Sequence, residues 1–263
     1  MNSVIDLGFM EIHWYSIMLF IGILVGSNLA IKEAKRHGMN ENKMVDLLFL
    51  AIIFGILGAR VYYVLFNLDY YTANPNEIFK VWEGGLAIHG GIIAALVCIS
   101  IFCYQRKINL LKILDYLVPS LILAQAIGRW GNFFNGEAHG AICSLEFLQS
   151  IFVPDFVING MYINGNYYLP TFYFESLWCL FGFILMIVLR SRKFNKVGFL
   201  TGFYFVWYGF ERFFVEGLRT DSLMFLGFKI AQIVSILMVL VGIVIFVYSF
   251  KKKKDYKDMI ENV

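Results

Sequence analysis

Long apolar runs recur near residues 14–31, 44–66, 86–104, 113–133, 171–189, 198–215 and 230–250. Each is close to the roughly 20 residues that carry an α-helix across a bilayer core at about 1.5 Å per residue. The pattern predicts an all-α integral membrane protein with seven transmembrane helices, and an odd number of spans puts the termini on opposite sides. Lys32, Lys35, Arg36 and Lys43, then Arg106, Lys107 and Lys112, then Arg190, Arg192, Lys193 and Lys196, and finally Lys251 to Lys254 with Lys257, all fall on the side of the C-terminus. Basic loops stay inside, so that side is expected to be cytoplasmic and the N-terminus outside. The segment 135–170 between the fourth and fifth runs holds Glu137, Glu146 and Asp155 but no Lys or Arg, and carries the turn pairs Asn159-Gly160 and Asn164-Gly165. It reads as a small extracytoplasmic hairpin cap on a single polytopic membrane domain, 1–263.

Composition narrows the class. Of 263 residues, 59% are hydrophobic and 16% charged, and the mean hydropathy is +0.69; a water-soluble protein is excluded and no length remains for a separate soluble domain. The net charge of +3 lies in short runs, a topological signal that leaves no basic face for nucleic acid. Cys98, Cys103, Cys143 and Cys179 form no CxxC pair and read as small core residues. No Lys or Arg precedes Lys32, so the first run is expected to stay as a span. There is no HExxH, Asp-rich pair or P-loop, so neither a metal nor another cofactor is expected.

The remaining basic residues stand out. Lys80 and Lys229 lie near span ends, where they can snorkel. Arg60, Arg129, Arg212 and Arg219 all fall in the expected outer half of the membrane or at its surface. A charge there must be paired or face a wet cavity, so the four either bind an anion together or hold helices through carboxylates. In the sixth run, Tyr204, Tyr208, Arg212, Glu216 and Arg219 recur at helical spacing on one face. Arg212 and Glu216, four apart, can neutralise each other or leave the guanidinium for a ligand. The fourth run ends in Gly128-Arg129-Trp130-Gly131-Asn132-Phe133-Phe134-Asn135-Gly136-Glu137. There an Arg fork beside Asn side chains and glycine backbone suits a phosphate oxyanion. His89, flanked by glycines at the start of the third run, reads either as a packing group or as a base.

Gly128 to Gly140 matches the GRxGNFxNxExxG signature of prolipoprotein diacylglyceryl transferases at every fixed position, and the sequence resembles that family along nearly its whole length. Further similarity lies in His13-Trp14-Tyr15, Gly58-Ala59-Arg60, Gly84-Gly85, His89-Gly90-Gly91, Asp115 to Pro119 and Tyr208 to Arg219. One segment departs: Leu169-Pro170-Thr171-Phe172-Tyr173-Phe174-Glu175 stands where the family usually has His-Pro-Thr-Gln-x-Tyr-Glu, although Glu175 is kept.

The resemblance implies an enzyme of the bacterial cytoplasmic membrane, with its active site toward the outer leaflet. It would move the diacylglyceryl group of phosphatidylglycerol onto the lipobox cysteine thiol of a preprolipoprotein and release glycerol 1-phosphate. On that reading Arg129 and Asn132 meet the lipid phosphate and glycerol headgroup, and Arg212 meets the phosphate in the transition state. Glu216 and Glu137 orient the arginines, His89 is a base or an anchor, and Tyr15, Tyr208, Arg219 and Arg60 contact headgroup or peptide. A lipid or small-anion transporter is the alternative, but it predicts inverted repeats that the chain does not show. A CDP-alcohol phosphatidyltransferase would need clustered metal-binding aspartates, which are absent, and a His/Asn acyltransferase would leave the arginines unexplained.

Overall fold

The computed structural model describes residues 3–6, 11–192, 196–219, 224–225 and 227–252. Lys193, Lys253, Lys254 and Lys257, assigned above to cytoplasmic clusters, lie outside the described residues. The chain opens with a two-stranded hairpin, β1 (Ser3–Asp6) and β2 (Glu11–His13), and runs directly into helix α1 (Trp14–Arg36). Next come α2 (Glu41–Leu65), the short α3 (Leu68–Ala73), 3-10 turns at Pro75–Phe79 and Val81–Glu83, α4 (Ile88–Gln105) and α5 (Leu110–Asn135). A cap follows, of β3 (Ile142–Cys143), α6 (Leu145–Ser150), α7 (Asp155–Gly160), β4 (Tyr162–Ile163) and β5 (Asn166–Tyr168), its three strands antiparallel in the order β3-β5-β4. The described residues end in α8 (Thr171–Leu189), α9 (Phe199–Leu218), the strand pair β6 (Met224–Phe225) and β7 (Phe228–Lys229), and α10 (Ile230–Lys252).

Among the described residues, six helices are long and apolar enough to cross a membrane: α1, α2, α4, α5, α8 and α10. Their outward surfaces are apolar, with Phe20 61%, Phe49 63% and Val244 67% exposed, as a lipid-facing surface requires. Helix α9, 20 residues long, carries Glu211, Arg212 and Glu216, and these charges set it apart from the other six.

Small residues let the helices approach. A Cβ on Gly22 would lie 3.1 Å from the Ala124 carbonyl oxygen and one on Gly26 3.2 Å from that of Ser120, which brings α1 against α5. Gly58 and Gly90 bring α2 against α4 in the same way, and Gly202 and Gly242 join α9 to α10. Asn40 and Asn109 begin α2 and α5 by accepting backbone N–H bonds from Asn42 and Lys112.

Polar contacts fix the end of the bundle away from the cap. The buried Asp115 carboxylate accepts from Gly198 N at 2.6 Å, and from Thr201 N and Oγ1 at 2.7 and 2.5 Å, so a side chain of α5 closes the first turn of α9. Arg190, at the end of α8, donates to Glu33 of α1 at 2.6 Å. The cysteines divide: Cys103 and Cys179 are buried in the helical core and Cys98 and Cys143 are half-buried, all four as free thiols.

Candidate active site

The site is built where α5 ends and α8 begins. Gly136 takes the left-handed conformation that stops α5, at φ 63°. Behind it the chain turns back on itself: Gly140 N donates to the Leu169 carbonyl at 2.8 Å, Leu169 N to that of Ala141 at 3.0 Å, and Thr171 Oγ1 to that of Ala138 at 2.5 Å. The segment that departs from the family pattern is thus zipped to the tail of the signature, and the zip delivers Glu175 on the first turns of α8. One residue on, Ser176 accepts from Trp130 Nε1 at 3.1 Å and donates to the Ala126 carbonyl at 2.9 Å, which locks α8 onto α5.

Glu175 is 1% exposed and stands between two arginines. Its Oε2 lies 2.5 Å from Arg129 Nη2, and its Oε1 lies 3.6 Å from Arg212 Nη1. Arg212 reaches Glu216 with its other nitrogen at 2.6 Å. Neither Glu175 oxygen accepts an aligned hydrogen bond, so charge holds this junction more than hydrogen-bond geometry does. The two guanidinium side chains each remain 19% exposed, while the carboxylates beneath them are buried. The cluster therefore sets two partly exposed arginine side chains against two buried carboxylates. Glu211 of α9 is buried in the same neighbourhood without a hydrogen-bond partner on either oxygen. Tyr208 and Cys179 also lie within electrostatic reach of Arg129, and Tyr208 stacks on Tyr204 at 5.7 Å.

Other expected site residues fall around this core. Tyr15, the second residue of α1, packs on the signature: a Cβ on Gly131 would stand 2.8 Å from its ring and 3.0 Å from its Cα. Arg219 joins through its backbone, which bridges to Gly140, the last signature residue. Lys229, expected to snorkel, instead donates to the carbonyls of Glu216 and Arg219 at 2.7 and 2.9 Å and closes the end of α9.

Three expectations are met differently. Glu137 makes no ion pair with an arginine among the described residues; its carboxylate accepts from Asn135 at 3.1 Å and Asn132 at 3.4 Å, because the Gly136 turn folds it back over the helix end. Arg60 is not part of the arginine group. Its guanidinium is spent on four backbone carbonyl contacts, to Ile78, Gly84, Gly85 and Glu77 at 2.9, 2.8, 3.0 and 2.5 Å, so it clamps the 77–85 loop beside a cavity of about 440 Å³. His89 lies exposed on the first turn of α4 and meets the Tyr62 ring at 6.4 Å, with no contact to Arg129 or Arg212 among the described residues. Sequence reasoning passed over the central part of Glu175. The signal was there: a carboxylate at the head of an apolar run needs a cation, and Arg129 and Arg212 were the cations in want of a partner.

The family model described as prolipoprotein diacylglyceryl transferase matches residues 2–248 of this chain. The chain belongs to the prolipoprotein diacylglyceryl transferase family. A phosphatidylglycerol–prolipoprotein diacylglyceryl transferase of Staphylococcus carnosus is 47% identical over 97% of this chain and 93% of its own length. The proteins of the same name from Staphylococcus aureus (strain Newman) and Listeria monocytogenes are 46% and 45% identical, covering 92% and 93% of this chain and 87% and 88% of theirs. The matched residues include Arg129, Glu175, Arg212 and Glu216, the four members of the ion-pair cluster.

Proposed function

We propose that this chain transfers the diacylglyceryl group of phosphatidylglycerol to the lipobox cysteine thiol of a prolipoprotein in the bacterial cytoplasmic membrane. The observation that carries the reading is the pair of partly exposed arginines, Arg129 of the signature segment and Arg212 of α9, drawn together by the buried Glu175 carboxylate of α8. Helix α9, sixth in chain order, joins the six apolar helices to make seven spans, its charges turned inward to α5 and α8. The N-terminus and the 135–170 cap face outward, the C-terminus is cytoplasmic, and the site opens toward the outer leaflet.

In this reaction the thiol sulfur forms a bond to the lipid's glycerol carbon while that carbon's bond to the phosphate oxygen breaks. The thiol proton is given up, and glycerol 1-phosphate leaves with the bonding electrons. Charge grows on the phosphate as the bond breaks, and two preorganised guanidinium groups in a low-dielectric site stabilise it. Arg129 meets the phosphate with Asn132 at the glycerol headgroup, and Arg212 meets the developing charge. Glu175 and Glu216 hold both forks in place, and Tyr15 and Tyr208 line the approach. A free thiol, with a pKa of about 8.5, needs a base or a positive field to form thiolate. The arginine pair supplies the field, and His89 is either the base or the anchor of α4.

Purified protein given phosphatidylglycerol and a lipobox peptide tests this. Mass spectrometry should find a diacylglyceryl thioether on the cysteine and glycerol phosphate released in equal amount. Lipid movement between vesicles without either product would favour the transporter instead.

A further inference from the structure

The α6–α7 corner of the cap has two faces. One is buried: Leu148, Val153, Val157, Ile158 and Met161 form a core with Phe172 of α8. The other is bare and aromatic, with Phe147 47%, Phe152 90% and Phe156 58% exposed. Phe152 sits between the two short helices in the left-handed conformation, φ 58°, which bulky side chains avoid. The backbone thus accepts an unfavourable state that leaves a large apolar ring pointing away from its own core.

The position of the corner says what meets that ring. Phe156 stacks on Trp130 at 6.1 Å with the rings 14° apart. Trp130 belongs to α5, a membrane-crossing helix that ends five residues later at Asn135, so it lies roughly 7 Å inside the helix end at about 1.5 Å per residue. The backbone of Gly160, at the end of α7, rests on the Phe133 ring of the same helix. The corner therefore packs against the flank of a membrane helix below its end, and its bare face continues the apolar outer surface of the bundle. The rim is acidic: Glu146 and Asp155 stay exposed in the first turns of α6 and α7. Hydrogen bonds from its own backbone N–H and from Ser144 hold the Glu146 carboxyl below its ordinary range. That end belongs in water, and it limits how deep the corner can sink.

We propose that the α6–α7 corner docks on the lipid bilayer itself, with Phe147, Phe152 and Phe156 set among the outer-leaflet lipids at the boundary between headgroups and acyl chains and Phe152 as the leading wedge. The cap is thereby held at the membrane surface by its own aromatic residues as well as by the two helices from which it grows.

The test places the photoreactive residue benzoylphenylalanine at position 152, and separately at the exposed position 166 at the start of β5, in full-length protein reconstituted into phosphatidylglycerol and phosphatidylcholine vesicles. After irradiation, mass spectrometry should find lipid adducts at 152 at least tenfold more often than at 166. A dimer band on a denaturing gel in place of lipid adducts would mean that a second copy covers the face. Capture of an added lipobox peptide in preference to lipid would mean a substrate-docking face, and equal labelling at both positions would mean no docking; each of these overturns the proposal. If the photoreactive variant does not fold, Phe152→Trp gives the same answer by fluorescence in vesicles of lipids brominated near the headgroup. Quenching well beyond that of the wild-type background supports the lipid contact, and quenching equal to it overturns the proposal.

Discussion

Glu175 and Arg129 meet at 2.5 Å across the α5–α8 boundary, and the far oxygen of the same carboxylate faces Arg212 of α9 at 3.6 Å. One buried acid on α8 thus sets the spacing of two cations, one on α5 and one on α9. Removing one partner of a buried pair leaves an uncompensated charge, which costs about 3–5 kcal/mol; the 19% exposure of both arginines puts this case at or below the lower end. Glu175→Gln should lower the thermal midpoint in detergent and reduce transfer at least tenfold. Glu211→Gln, which removes no ion pair among the described residues, should move the midpoint less. Thermal unfolding of the two variants side by side checks the ranking, and an equal loss would contradict it.

The glycines of the signature divide sharply. A Cβ on Gly131 would stand 2.8 Å from the Tyr15 ring and 3.0 Å from its backbone, whereas one on Gly128 would meet nothing within 4 Å. Gly131→Ala should push α1 away from α5 and lower both folded yield and activity. Gly128→Ala should leave the folded yield unchanged, with a monodisperse profile in size-exclusion chromatography. Reversal of that order would contradict the Tyr15 packing.

Arg60 acts on the loop and not on the phosphate. Lysine keeps the charge but has no planar fork to share among four carbonyl contacts. Arg60→Lys should therefore speed hydrogen exchange across 77–85 while leaving the Arg129 neighbourhood protected. Unchanged exchange in the loop would contradict the clamp.

Asp115 closes the first turn of α9 from a neighbouring helix. Asp115→Ala should cost about 2 kcal/mol, as loss of a strong helix cap does, and increase exchange at Gly198 and Thr201 before anywhere else in α9. A uniform change along the chain would contradict this local role.

The apolar runs marked the helices to within a few residues at most ends because twenty consecutive apolar side chains admit little else in a bilayer. They carried no trace of α3, the 3-10 turns, or the β1–β2 pair, which are too short to leave a periodic pattern. The site was legible in part. Arg129 and Arg212 were singled out by the rarity of arginine in apolar runs, and they do share a carboxylate. The same rarity put Arg60 with them, although its partners are backbone carbonyls 17 to 25 residues onward, and carbonyls leave no mark in a sequence. Glu137 failed for a similar reason: the Gly136 turn, a matter of one φ angle, sends it to Asn132 and Asn135.

The central claim is that Arg129 holds the phosphate of the lipid donor. Wild-type protein and Arg129→Ala, both purified in detergent, are given the same phosphatidylglycerol and lipobox peptide, and the thioether product is counted by mass spectrometry. The account predicts thioether and glycerol phosphate from the wild type and a loss of at least a hundredfold from Arg129→Ala at equal folded yield. An Arg129→Ala protein that still transfers at the wild-type rate would contradict it.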